Sequence, residues 1–201
     1  MARRSEHSRE EIKEMILLAA EGIVQEFGFS ALKVRKIAAD IGYTVGSIYM
    51  VFSGMDDLIM HVKARTWKKL GSYLQTSMAG SDTQKTVEDM LLAYLDFVTA
   101  NEGGWRMLFE HQLPVGKVTP EWYLQSQEAV LLLVNQQVKQ INSSNSDLKV
   151  NQLTRVMMNS IQGLSMQLLV IGLSEKNISS AKQDIVLLAG CFVSECQKVE
   201  P

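Results

Sequence analysis

The sequence predicts an all-α protein, with a three-helix head at the N-terminus followed by a body of about six helices. Two observations predict this class. Apolar residues recur three and four positions apart in successive stretches, which is the spacing of one helix face. Only 3 of the 201 residues are proline, and we find no convincing strand pattern.

The first predicted helix begins after Ser8, which forms an S-x-x-E capping box with Glu11. Apolar residues then recur at helical spacing as far as Phe27, and Gly28 ends the helix. The basic residues at this end, Arg3, Arg4 and Arg9, have two open interpretations: contact with DNA phosphate or a groove, or a solvated chain start.

The stretch Val34–Phe52 is patterned as a helix-turn-helix. Ile37 and Ala38 lie on the apolar face of a short first helix. Gly42 ends that helix, because glycine adopts the left-handed C′ conformation without a steric penalty. Thr44 is a suitable N-cap for the second helix.

The second helix of the pair can pack on the first through Ile48 and Phe52, which are four residues apart. This packing leaves Thr44, Ser47 and Tyr49 near its outer face and its N-terminal end. A recognition helix enters the major groove of DNA with that end first, so the spacing predicts a DNA-reading element.

These residues resemble the DNA-binding head of the tetracycline-repressor (TetR) family of bacterial regulators. The order and spacing that carry the resemblance are those of Gly28, Ile37-Ala38, Gly42, Gly46-Ser47, Tyr49, Phe52, Asp56-Asp57 and Leu58. The resemblance, together with the helix-turn-helix spacing, gives the predicted DNA contacts: Lys33, Val34, Arg35, Thr44, Val45, Gly46, Ser47, Tyr49 and Met50.

The sequence departs from the family pattern at three places. Lys33 stands where a Thr or Ser usually caps the first helix of the pair. Met55 stands where a Lys usually contacts phosphate. Met50 and Val51 occupy positions where polar or basic residues are common. We therefore expect the usual fold with fewer ionic contacts to DNA.

The remaining helices are predicted from apolar periodicity and from their terminal signals. Asn101–Gly104 is predicted as a break because it holds two glycines, and Ser174–Ser180 as a loop with Ser179 or Ser180 capping the last helix. The predicted helices are Asp56–Met78, Val87–Ala100, Trp105–His111, Glu121–Ile141, Asp147–Gly172 and Ser180–Gln197. The predicted domains are 1–54, extending to about 70 with the start of the long helix, and 55–201.

A second resemblance concerns the body. Leu108-Phe109-Glu110-His111 and the segment Met158–Leu164 resemble two motifs of a TetR subset, with Met158 and Gln162 replacing the Trp and His of the second motif. Together with a Met- and aromatic-rich composition, these segments predict an adaptable pocket for an organic ligand that is neutral or weakly polar. The alternative is an ordinary core that contains many methionines. The predicted pocket residues are Tyr94, Trp105, Phe109, His111, Trp122, Met158 and Gln162.

The charge distribution, the hydrophobic segments and the cysteine spacing limit the classes of function that the protein can have. Net charge is −2, with 11 basic and 9 acidic residues over positions 1–70 against 9 and 13 over the rest. This asymmetry fits a DNA-binding head on an acidic body. We expect no membrane span and no secretory signal, and hence a bacterial cytoplasmic protein. Cys191 and Cys196 lie about 140° apart on a helix, which disfavours a disulfide between them.

No catalytic constellation is found. The three histidines, His7, His61 and His111, lack metal-ligand spacing, and no phosphate-binding or nucleophile motif occurs. We therefore expect neither an enzyme nor a cofactor.

The sequence thus predicts a transcriptional repressor that binds a near-palindromic DNA operator as a homodimer and is released by a small organic ligand. The last two helices are expected to form the dimer, because their apolar residues exceed one inner stripe. The alternative is a helix-turn-helix protein whose body recruits a protein partner.

Overall fold

The structure, a computed structural model, describes residues 7–78 and 83–198, with side chains from residue 87 in the second range. Within those ranges it contains nine α-helices, one short 3₁₀ helix (Phe29–Ala31) and no strand, so the predicted all-α class is confirmed. The helices are α1 (Arg9–Phe27), α2 (Val34–Asp40), α3 (Val45–Tyr49), α4 (Met55–Ser77), α5 (Thr83–Ala100), α6 (Glu102–Glu110), α7 (Glu121–Ile141), α8 (Asp147–Ile171) and α9 (Glu175–Gln197). The basic residues Arg3 and Arg4 lie outside the described residues.

The chain forms two compact units. The first unit consists, in its described part, of residues 7–66 and 101–124. The second unit consists of residues 67–78, 83–100 and 125–198. The two predicted domains are continuous stretches of the chain, whereas the first compact unit also includes a later segment, residues 101–124.

The first unit forms around α1. Its capping box is present as predicted: the Ser8 hydroxyl accepts from the Glu11 N–H at 3.2 Å, and the Ser8 N–H donates to the Glu11 carboxylate at 2.6 Å. The apolar face of α1 packs against α2, α6 and the 3₁₀ helix. The buried side chains of this core include Ile16, Ile37 and Met107. The core therefore joins the helix-turn-helix to a segment that lies about sixty residues further along the chain.

Helix α6 begins at Glu102, so the predicted break at Asn101–Gly104 is wrong. The glycines lie inside the first turn of the helix. A Cβ added at Gly103 would lie 2.1 Å from the carbonyl oxygen of Val24 in α1. The glycine therefore allows two helix backbones to approach closely, a tertiary role that a local pattern cannot distinguish from a helix break.

The second unit consists mainly of α5, α8 and α9 packed on one another, with α7 and the later part of α4. Helix α9 begins at Glu175, so the predicted loop Ser174–Ser180 is wrong beyond its first residue. Ser174 is the N-cap and its hydroxyl accepts from the Asn177 N–H at 3.2 Å. The Asn177 side chain also donates to the carbonyls of Ile171 and Gly172, which end α8. The turn between the two helices is short because caps satisfy its backbone groups.

Candidate nucleic-acid interface

The turn between α2 and α3 has the backbone that the sequence predicts. Gly42 has φ 71°, in the left-handed region that favours glycine. The Thr44 hydroxyl caps α3 by accepting from the Ser47 N–H at 3.2 Å, and it lies 3.0 Å from the Ser47 hydroxyl. Lys33 is the N-cap of α2 and provides no side-chain cap, as its replacement of a Thr or Ser implies. The first turn of α2 therefore lacks the capping bond that such a hydroxyl supplies.

Burial separates the inner and outer faces of this pair. Ile37, Ile48 and Phe52 are at most 1% exposed and hold α2 and α3 against α1 and α4. Tyr49 and Met50 are 47% and 78% exposed, although both are large. Exposed large side chains beside a buried apolar face are available for a partner.

The remaining predicted contact residues lie on the same two helices and their caps. Lys33, Arg35, Thr44 and Gly46 are exposed, whereas Val34, Val45 and Ser47 are half-buried. All nine predicted residues therefore lie on α2, on α3 or at the caps of these helices. Their contact with DNA stays a prediction.

Tyr43 is a position in this region that the sequence pattern assigned only to the turn. Its hydroxyl lies 2.8 Å from Nδ1 of His7, so this residue, two positions before α1, is joined to the helix-turn-helix. The tyrosine could have been recognised from the sequence, because a half-buried tyrosine hydroxyl usually has a hydrogen-bond partner.

The end of the pair is fixed to α4 by a carboxylate. The Ser53 N–H and hydroxyl donate to Oδ2 of Asp57 at 2.8 and 3.0 Å. The acidic pair predicted at a helix start is therefore found there, and one of its members holds the chain that follows α3. This arrangement stabilises the angle at which the two helices are presented.

Residues 16–62 match the family model of bacterial regulatory proteins of the tetR family. The match runs from Ile16, within α1, to Val62, within α4, and includes the whole helix-turn-helix. The N-terminal domain belongs to the TetR family. The resemblance found in the sequence is thereby confirmed, and the chain is in general terms a DNA-binding transcription regulator. Regulators of this family are non-enzymatic DNA-binding proteins.

Solved structures show that the likeness in fold extends over almost the whole chain. A protein of unknown function from Rhodococcus sp. RHA1 is 14% identical with a TM-score of 0.76, over 97% of this chain and 98% of that one. A tetR-family transcriptional regulator from Streptomyces coelicolor is 15% identical with a TM-score of 0.70, over 97% and 92%. The regulator PfmR from Thermus thermophilus is 12% identical with a TM-score of 0.63, over 89% and 97%. At these identities the likeness shows the fold alone. No curated protein sequence matches the chain significantly.

The predicted ligand-pocket residues are divided between the two units of the chain. Trp105 is fully buried beside Phe109, with ring centroids 4.8 Å apart, and both belong to the first unit. Trp122, also in the first unit, stacks on His61 at 4.3 Å. Tyr94 is buried in the second unit. The aromatic residues that composition grouped together therefore belong to different units, and Phe109 and Trp122 are partly exposed.

His111, the remaining predicted pocket residue of the first unit, belongs to a charged cluster. Its Nε2 lies 3.3 Å from Oδ1 of Asp56, and the Lys117 ammonium donates to Oδ2 of Asp56 at 2.7 Å. The hydrogen bonds of Lys117 and then His111 lower the pKa of Asp56. Burial lowers the pKa of His111, although Asp56 opposes that shift.

A buried cation lies close to this cluster. Lys63 is 5% exposed and donates to the backbone carbonyl of His111 at 3.0 Å, with its ammonium 5.5 Å from the centre of the Tyr123 ring. Burial lowers its pKa. Residues 111–123 are therefore held to α4 by polar contacts as well as by apolar packing.

Met158 and Gln162 lie together at a cavity of about 380 Å³ in the second unit. The cavity is lined mainly by α7 and α8. Its polar wall includes residues that the sequence pattern did not assign to a pocket, namely Asn135, Asn151, Thr154 and Arg155. The sequence contains a pattern that could have identified the α8 residues among them, because polar residues recur every three or four positions along α8 beside Met158.

Some polar atoms of this wall have no hydrogen-bond partner among the described residues. Asn135 donates to the side-chain oxygen of Asn151 at 2.9 Å, but the Asn135 oxygen has no hydrogen-bond partner among the described residues. The Thr154 hydroxyl is also buried without a partner there. Buried polar atoms usually have partners, so this wall is suited to a ligand or water with hydrogen-bonding groups.

Over residues 7–78 and 83–198, no group of three His, Cys, Asp or Glu side chains is placed to hold a metal ion. In the same part of the chain, every helix is too short or too polar to span a membrane.

Proposed function

We propose that this chain is a ligand-responsive transcriptional repressor of the bacterial cytoplasm, which binds a near-palindromic operator as a homodimer. The observation that carries the proposal is the α2–α3 pair, with a buried inner face and exposed Lys33, Arg35 and Tyr49. In this proposal α3 enters the major groove with Thr44 and Ser47 leading. Lys33 and Arg35 contact phosphates, which hold the helix in register.

Homodimer formation is supported by the outer face of α8 and α9. Five apolar side chains of these helices are 45–71% exposed: Val156, Val170, Ile171, Val186 and Leu187. An exposed apolar face of this kind indicates an interface, and two-fold pairing is the commonest arrangement. Leu187→Glu should therefore produce a monomer in sedimentation, whereas Val118→Glu, at an exposed loop position, should not.

Ligand response is supported by the cavity of the second unit, where unpartnered polar atoms accompany Met158 and Gln162. Helix α4 provides a route for the response. It contributes Trp67 to the cavity wall, and the same helix begins at Met55, directly after the helix-turn-helix. A ligand releases DNA only if it binds more tightly to the state in which the position of α4 prevents the helix-turn-helix from fitting the operator. A hundredfold release requires about 2.7 kcal/mol of such preference.

Selection of bound DNA from a random pool tests the DNA-binding part of the proposal. The selected sites should be near-palindromic. Arg35→Ala and Tyr49→Ala should each weaken binding at least fivefold, or about 1 kcal/mol. Lys68→Ala removes an exposed charge from the second unit and serves as the matched control. Unchanged affinity in both head variants would contradict the placement of α3 in the groove.

Titration of organic compounds against the operator complex tests the ligand part. Release that is lost in Gln162→Ala would support the cavity. If no compound releases DNA, the exposed face of α8 and α9 favours the second candidate function, in which the body binds a protein partner. A protein partner that binds the wild-type chain but not Leu187→Glu, together with a wild-type chain that sediments as a monomer by itself, would favour this second function.

A further inference from the structure

The first unit contains a cleft that the sequence pattern does not predict. It has a volume of about 610 Å³ and lies beside the start of α2. Its apolar floor includes Phe29, Leu32 and Ile59, and the latter two are at most 6% exposed. An apolar floor of this size suits a ring or a short chain of carbon atoms.

The rim of the cleft is cationic. Lys33 and Arg35 line it and are exposed, and neither forms an ion pair with a carboxylate in the described part of the chain. Asp56 also lines the cleft, but its carboxylate is held by Lys117 and His111. The rim therefore has an excess of positive charge, to which an anionic group would be attracted. Arginine in particular binds carboxylates through two parallel hydrogen bonds.

The wall of the cleft contains an unsatisfied polar atom. His111 is 8% exposed, and its Nδ1 is buried without a hydrogen-bond partner among the described residues. Its other ring nitrogen, Nε2, lies 3.3 Å from Asp56, and an edge of the Phe29 ring is close by, with ring centroids 5.9 Å apart. When Nε2–H donates to the carboxylate, Nδ1 is left as an acceptor. His111 lines the cleft, but Nδ1 itself is closed to a group the size of water, so a hydrogen-bond donor in the cleft reaches it only when the His111 ring shifts.

We propose that this cleft binds a small amphipathic carboxylate carrying a hydroxyl group. Its carboxylate pairs with Arg35 and Lys33, and its apolar part lies on Phe29 and Ile59. Its hydroxyl donates to Nδ1 of His111 once that ring has shifted toward the cleft. Lys33 and Arg35 are also the residues proposed to contact operator phosphate. The ligand therefore competes with DNA directly, without any change in the second unit. Binding of the ligand is independent of the proposed function, whereas the competition rests on it.

The probes are 4-hydroxyphenylacetate, its uncharged amide and phenylacetate, titrated calorimetrically into the full-length chain. The hydroxy acid should bind about tenfold more tightly than the amide, because a hydrogen-bonded charge pair is lost. Phenylacetate, which lacks the hydroxyl, should bind severalfold more weakly than the hydroxy acid. Arg35→Gln should bring the hydroxy acid to the affinity of the amide. Gln162→Ala, in the cavity of the second unit, should leave all three affinities unchanged.

Several results would overturn the site. These are no binding of the hydroxy acid at millimolar concentration, equal affinities of acid and amide, unchanged affinity in Arg35→Gln, or loss of binding in Gln162→Ala. Because Arg35 is exposed, this variant should fold normally. In wild-type protein, saturating hydroxy acid should weaken operator binding at least tenfold. If the probe binds as described and the chain binds no DNA, the cleft stands and the proposed function fails.

Discussion

The close contact between α1 and α6 predicts that Gly103→Ala destabilises the protein. In Gly103→Ala, the new Cβ would lie 2.1 Å from the carbonyl oxygen of Val24 and 2.8 Å from its carbonyl carbon. Ordinary contact begins near 3.4 Å, so the two helices must separate by roughly 1 Å. The obstructing atoms belong to backbone, which cannot rotate away as a side chain can.

The magnitude follows from two opposing effects. Overpacking of a core costs about 1–3 kcal/mol, and a backbone clash belongs at the upper end of that range. Alanine is favoured over glycine in a helix by about 1 kcal/mol. We therefore expect Gly103→Ala to lower the free energy of unfolding by about 2 kcal/mol. This is a roughly thirtyfold change in the folding equilibrium.

The neighbouring residue provides a matched control. A Cβ at Gly104 would meet the Thr66 hydroxyl at 3.5 Å, which is ordinary contact. Gly104→Ala should therefore be neutral or stabilise the protein by up to about 1 kcal/mol. Urea unfolding followed by the fluorescence of Trp105, which is buried in the same helix, compares the two variants. Equal midpoints for the two alanine variants would refute the close packing of α6 on α1.

Three further predictions concern DNA affinity, pH and packing. Met55→Lys should steepen the salt dependence of operator binding by about 0.9 in log–log slope, measured by fluorescence anisotropy, and an unchanged slope would place residue 55 away from phosphate. Burial lowers the pKa of His61 and of His111, so on acidification the unfolded chain binds protons before the folded chain does. The free energy of unfolding should therefore fall as the pH drops below about 6.5 and towards the lower pKa values of the folded chain. The urea midpoint at pH 5 should then lie below that at pH 7.5, and a His61→Gln variant should show a smaller decrease. Thr154→Val, which replaces an unpartnered buried hydroxyl by a methyl group, should not destabilise the chain in thermal unfolding; a loss above about 1 kcal/mol would show that the hydroxyl has a partner.

The sequence by itself determined the helix-turn-helix, because its signals are local. The Ser8 capping box, the left-handed Gly42 and the Thr44 cap each act within four residues, and all three are present in the structure. The inner and outer faces of α2 and α3 also follow from helical spacing. The residues predicted from that spacing to contact DNA lie on these two helices and their caps, and the family match covers the same stretch.

Only the tertiary structure decided which later residues join this head. Gly103 could be a helix break or a point of close helix contact, and the distinction depends on Val24, about eighty residues away in the sequence. The same holds for His111, whose partner is Asp56, and for the aromatic residues expected to share one pocket. Helical periodicity shows which face of a segment is buried, but it does not show which neighbour covers that face. The cavity beside Thr154 and the cleft beside Arg35 arise where those neighbours meet, so long-range packing was required to define them.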